Sequence, residues 1–73
     1  MSTVQSILFD RHSWTPALSS RWLIDHGFKA TKIDITENKY RFRQKPPIKG
    51  YNYRIKRLPN GIEFIIMFRK KMP

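Results

Sequence analysis

The chain has 73 residues, no cysteine, and fifteen Lys and Arg against five Asp and Glu, a formal net charge of +10. A chain of this length makes one small domain, residues 1–73, with a thin core, because only about 60% of its unfolded surface is buried on folding. The absence of cysteine excludes a disulfide framework and a thiolate zinc site, so two Trp, three Tyr and five Phe must do most of the core filling.

The charge is unevenly placed. Residues 1–37 hold Arg11, Arg21, Lys29 and Lys32 against Asp10, Asp25, Asp34 and Glu37, four minus four, or zero. Residues 38–73 hold eleven basic residues against Glu63 alone, or +10. Asymmetry of this kind points to a polyanionic partner, nucleic acid being the commonest. The longest uninterrupted apolar run, Phe64 to Phe68, is far short of the roughly 20 residues of a spanning helix. No signal-peptide pattern is read, so an intracellular location (host cytoplasm, nucleoid or nucleus) or a virion is expected, with no membrane partner.

In chain order, Val4 to Phe9 reads as a first strand, with Ile7, Leu8 and Phe9 consecutive and apolar. After the polar break Asp10 to Ser13, Thr15 is the expected N-cap and Pro16 the first helical residue, where its missing N–H costs nothing. Ser13 is the competing cap. The helix is expected to run to about His26 and to stop at Gly27, with Leu18 and Trp22 on one face and Leu23 beside them.

Residues 31–44, TKIDITENKYRFRQ, contain a hairpin. The apolar positions Ile33 and Ile35 have the opposite parity to Tyr40 and Phe42, which a single regular strand cannot accommodate. A two-residue turn at Glu37-Asn38 resolves this, setting Ile35 opposite Tyr40, Ile33 opposite Phe42, Asp34 opposite Arg41 and Lys32 opposite Arg43. A bulge at 37–38 is the alternative. Residues 45–50, KPPIKG, form a basic connector, since two prolines cannot continue a ladder.

A second hairpin spans Tyr51 to Lys70 and turns at Asn60-Gly61, the strongest short-range hairpin signal. As a type I′ turn it sets Tyr53 opposite Phe68, Ile55 opposite Ile66 and Arg57 opposite Phe64. On the other side Arg54 then faces Met67, Lys56 faces Ile65 and Leu58 faces Glu63. The sum is a β-α-β-β-β-β order in the α+β class: a small, mostly antiparallel sheet with one helix packed on one face and the apolar strand Phe64–Phe68 central.

Cations alternate with aromatics along Lys39-Tyr40-Arg41-Phe42-Arg43 and again from Tyr51 to Lys56. On a pleated strand this sends rings to one face and cations to the other. Outward residues of any half-buried strand are polar, but that does not explain why almost none here is acidic. The expected contacts to nucleic acid are Lys39, Arg41, Arg43, Lys45, Lys49, Arg54, Lys56, Arg57, Arg69, Lys70 and Lys71. They would act as a cationic sheet face on the phosphate backbone, with low sequence specificity and with DNA favoured over RNA. Tyr40, Tyr51 and Tyr53 could instead stack on bases, though a chain this small needs its rings for the core.

No catalytic role is expected. Asp10, His12 and Ser13 have suitable chemistry, but adjacency in sequence is not a geometry. His12 and His26 lack metal-ligand spacing, no Gly-rich phosphate loop is present, and no cofactor is expected.

Ser13-Trp14-Thr15, Trp22-Leu23-Ile24-Asp25-His26-Gly27-Phe28-Lys29 and Tyr40-Arg41-Phe42-Arg43 form a pattern, S-[WF]-T…W-L-x-x-H-G-[FY]-K…Y-R-[FY]-R. It resembles short basic open reading frames of phages and large DNA viruses. The resemblance implies a viral origin and a virion- or genome-associated role, and supplies no catalytic residues. The alternative function is a viral protein-interaction module, a minor virion component or an inhibitor docking on an acidic host protein surface. Ile65 and Met67, apolar residues on the face assigned to cations, would support it; they require cover by the N-terminal strand, a homodimer or another protein.

Overall fold

The computed structural model describes residues 2–69. Its elements are β1 (Ser2–Asp10), α1 (Pro16–Asp25), β2 (Ile33–Ile35), β3 (Lys39–Arg43), β4 (Tyr51–Arg57) and β5 (Ile62–Arg69). The strands form one antiparallel sheet in the order β2-β3-β1-β5-β4. This is the expected α+β order of elements, with one helix and one sheet. β5 is an interior strand, but β1 takes the centre, because Ile7 and Phe9 are completely buried and can be covered from both flanks.

The helix begins as its sequence dictates. Thr15 is the cap, its Oγ1 accepting from the Leu18 N–H, and Pro16 opens the first turn. The buried stripe differs from the expected one. Leu18 is 55% exposed, whereas Ser19 and Leu23 are fully buried. Ser19 tolerates burial because its hydroxyl donates to the Thr15 carbonyl. Below it Phe9 is the hub of the core, meeting Trp14, Trp22 and Phe42 edge-on at centroid distances of 5.0, 5.8 and 5.6 Å. Such pairs stabilise by about 0.5–1.5 kcal/mol beyond area burial.

The β2–β3 hairpin has the expected register: Ile33 opposite Phe42, Asp34 opposite Arg41, Ile35 opposite Tyr40. The β4–β5 hairpin is one residue out of the expected register. Tyr53 faces Met67, Arg54 faces Ile66, Ile55 faces Ile65, Lys56 faces Phe64 and Arg57 faces Glu63. Leu58 N donates to Ile62 O at 2.8 Å, so the loop is the three residues Pro59, Asn60 and Gly61. Within this loop only Gly61 has positive φ, +84°, and among the described residues no non-glycine residue does, which rules out a type I′ turn at Asn60. A three-residue loop ending in left-handed glycine is the next commonest hairpin connection.

The shift moves side chains between faces. Opposite residues share a face, so Arg54 and Lys56 lie on the helix side with Ile66 and Phe64. Arg41 and Arg43 pair with Leu8 and Ser6 and lie on the open side. The expected single cationic sheet face is therefore split. Met67 is 2% exposed within this one chain, so it needs no partner to cover it. Ile65 is half-buried.

β1 carries a bulge at Gln5, between the pairs Val4–Ile66 and Ser6–Ile65. The extra residue switches parity, so that Val4 and Ile7 both face the helix side. It also sends the buried Gln5 toward the chain leaving β3.

Candidate nucleic-acid interface

Two ends of the sheet differ in how their charges are used. At one end lie the C-terminus of β1, the β2–β3 turn and the β4–β5 loop. Here Glu63, with a side chain 13% exposed, holds Lys39 Nζ at 2.6 Å and Arg57 Nε at 2.9 Å. The hydrogen bond from Lys39 is the largest influence lowering the Glu63 pKa; burial opposes it, and Arg57 reinforces it. Arg11 donates to Thr36 O at 2.7 Å and lies 5.4 Å over the Tyr40 ring. Asp10 Oδ1 accepts from the His12 N–H, and its carbonyl accepts from the Ser13 and Trp14 N–H groups. The Asp10-His12-Ser13 cluster is thus built as a polar turn.

The opposite end gathers the exit of β3, the exit of β5, the entry of β4 and the loop before β2. It carries Lys29, Lys32, Arg43, Lys45, Lys49 and Arg69, all exposed. None of these six takes part in a salt bridge among the described residues. Three of the five carboxylates in the chain, Asp10, Glu37 and Glu63, belong to the other end.

The basic end is held by backbone hydrogen bonds. Gln5 O accepts from Gln44 N at 2.8 Å and Lys45 N at 3.2 Å, and Gln5 Nε2 donates to Lys45 O at 2.9 Å. Gln5 Oε1 accepts from Ser6 Oγ at 2.6 Å. The bulge therefore anchors the start of the basic connector. Farther along, the Tyr53 hydroxyl accepts from Ile48 N at 3.1 Å, which ties the connector to β4 after it has passed β1 and β5. At the exit of β3, the Gln44 side chain clamps the Lys29 backbone, accepting from its N–H and donating to its carbonyl at 2.8 Å each.

Comparison with protein-family models, with curated proteins and with solved structures finds no match.

Of the residues expected from sequence, the structure brings Arg43, Lys45, Lys49 and Arg69 to the basic end. Lys39 and Arg57 lie at the far end, on Glu63. Arg41 is half-buried, its Nε donating to Ser6 Oγ at 3.3 Å. Arg54 lies on the helix side, 5.4 Å over the Phe68 ring, with Lys56 on the same face. Lys70 and Lys71 lie outside the described residues. Sequence reasoning missed Lys29 and Lys32, because they belong to the half of the chain with zero net charge. The available signal was Lys32 opposite Arg43, a like-charge pair that the hairpin register requires. Among the described residues no helix is long and apolar enough to cross a membrane, and no cluster of three metal-ligating side chains is found.

Proposed function

We propose that this protein is a non-enzymatic nucleic-acid-binding protein that holds DNA by its phosphate backbone with low sequence specificity. The observation that carries the reading is the basic end: six cations, none in a salt bridge among the described residues, on a framework pinned by Gln5, Gln44 and Tyr53. Lys and Arg in such an arrangement neutralise phosphates and release counterions, which makes binding favourable and salt-dependent. Phosphate contacts position a duplex but carry little sequence information. The contacts are assigned to the end of the sheet rather than to one whole face, because Lys39 and Arg57 are engaged by Glu63 and Arg54 and Lys56 point to the helix side.

The test is a salt-dependent binding titration on single- and double-stranded DNA. Six neutralised phosphates give a log–log slope of roughly −5 on duplex. Absence of binding at low salt, or affinity indifferent to salt, overturns the reading. Co-purification of a defined protein partner after nuclease treatment would instead favour an interaction module.

A further inference from the structure

The basic end contains a recess of about 220 Å³ between the loop before β2 and the exit of β3. Its walls include Lys29, Thr31 and Lys32 on one side and Arg43, Gln44 and Lys45 on the other. Four of these six carry positive charge and none is acidic. We propose that this recess binds a phosphate monoester, the terminal phosphate of a nucleic-acid strand. The source of the phosphate rests on the nucleic-acid reading; the anion chemistry of the recess does not.

Three observations lead there. The backbone of the walls is fixed before any ligand arrives. Gln44 uses both side-chain polar atoms on the Lys29 backbone, Arg43 N donates to Lys32 O at 3.3 Å, and Lys45 N donates to Gln5 O. A preset cradle spares much of the ordering cost of binding. Next, four cations line the recess and no carboxylate does, so it favours a ligand of more than one negative charge. A phosphate monoester carries about −1.5 to −2 at pH 7, whereas a backbone diester carries a single charge. Arg43 supplies the planar fork that matches phosphate oxygens, and the three lysines supply point charges around it. Finally, the recess lies below the roughly 300–1,000 Å³ of pockets that enclose drug-sized molecules. An internal phosphodiester can meet these exposed cations at the rim but must leave in two directions, whereas a chain end enters once and stops.

The experiment compares short single-stranded oligonucleotides ending in a 5′-phosphate, a 3′-phosphate or hydroxyls only, by fluorescence anisotropy at one fixed moderate salt concentration. Inorganic phosphate and thymidine 5′-monophosphate are titrated separately by NMR. A terminal phosphate should tighten binding by about tenfold, and Arg43→Gln or Lys32→Gln should remove most of that gain while the circular dichroism spectrum is unchanged. Equal affinity for phosphorylated and hydroxyl-ended strands overturns the proposal and leaves the nucleic-acid reading standing. If no oligonucleotide binds but the small phosphates do, and Arg43→Gln abolishes that, the phosphate site stands and the nucleic-acid reading falls. If nothing binds, both fall.

Discussion

The indole Nε1 of Trp14 donates to the backbone carbonyl of Asn60, 2.8 Å away, and so fastens the entry of the helix to the turn of the last hairpin. The same corner is reinforced by Asp10 N donating to Gly61 O at 2.9 Å and Arg11 N donating to Asn38 O at 3.1 Å. Both hairpin turns are thus tied to the five residues Asp10 to Trp14, and Gly61 sits at the tightest point. It has φ +84°, and a Cβ there would lie 3.3 Å from Asp10 Cβ and 3.5 Å from Trp14 Nε1. Gly61→Ala should therefore destabilise the protein by about 1–2 kcal/mol from the left-handed backbone alone, with the contact adding to it. Trp14→Phe keeps the ring and removes the donor; it should cost about 1 kcal/mol. Urea unfolding of both variants measures this, and a neutral Gly61→Ala would contradict the turn geometry.

Register explains which parts of this fold could be read in advance. In the β2–β3 hairpin, the apolar positions change parity once, and a turn at Glu37-Asn38 keeps Ile33, Ile35, Tyr40 and Phe42 on one face. A bulge at 37–38 would do the same, but Asp34 opposite Arg41 favours the turn, and the turn is what forms. In the β4–β5 hairpin, residues 64–68 are all apolar, so either parity places hydrophobic side chains inward. Asn60-Gly61 also fits both a two-residue loop and the end of a three-residue one. What decides is tertiary: Ile62 and Phe64 must lie beside Phe9 and Ile7 under the helix. In the helix stripe, Trp22 and Leu23 do face the core, but Leu18 does not, for a related reason. Periodicity counts apolar residues, and Ser19 enters the core because its hydroxyl is satisfied by its own helix. The cations of the basic end were legible as charge. Their gathering depended on the Gln5 bulge and on the Gln44 clamp, which joins residues fifteen apart.

The hairpin register can be checked through two apolar residues on the same face. Met67 is 2% exposed and its neighbour across the sheet diagonal, Ile55, is 55% exposed. Met67→Ala should cost about 2–3 kcal/mol by the usual loss of transfer energy and the cavity left behind. Ile55→Thr should stay within about 0.5 kcal/mol, as surface changes do. Chemical denaturation of the two variants separates these outcomes; equal costs would mean that Ile55 is also covered.

Glu63 makes part of the stability depend on pH. Its pKa is lowered in the folded state, first by the Lys39 hydrogen bond, against burial and with help from Arg57. The unfolded chain holds a proton at higher pH than the folded one. The contribution is therefore complete above the ordinary carboxylate value of 4.5 and is lost as pH falls through the lower folded value. Glu63→Gln should lower stability by about 1 kcal/mol at pH 7, because Arg57 is largely exposed and its share is screened. It should also flatten the loss of stability below pH 4.5. Thermal melts from pH 7 to pH 3 test both. An unchanged slope would show that other carboxylates carry the acid transition.

The two ends of the sheet should respond differently when their cations are removed. Arg43 and Lys45 have no salt bridge among the described residues, whereas Arg57 is 2.9 Å from Glu63. Arg43→Gln and Lys45→Gln should each weaken duplex binding at low salt and make the log–log salt slope about 0.9 less steep, the loss of one phosphate contact. Arg57→Gln removes the same formal charge from the molecule. Because that charge faces a carboxylate at the far end, it should leave affinity within about twofold and the slope unchanged within error. Removing charge anywhere weakens long-range attraction a little, and screening limits that effect to a Debye length of about 10 Å at 0.1 M salt. Measured slopes, rather than affinities at a single salt, therefore distinguish a localised interface from a diffuse positive charge. Equal slopes for Arg43→Gln and Arg57→Gln would mean that DNA does not seat on the basic end.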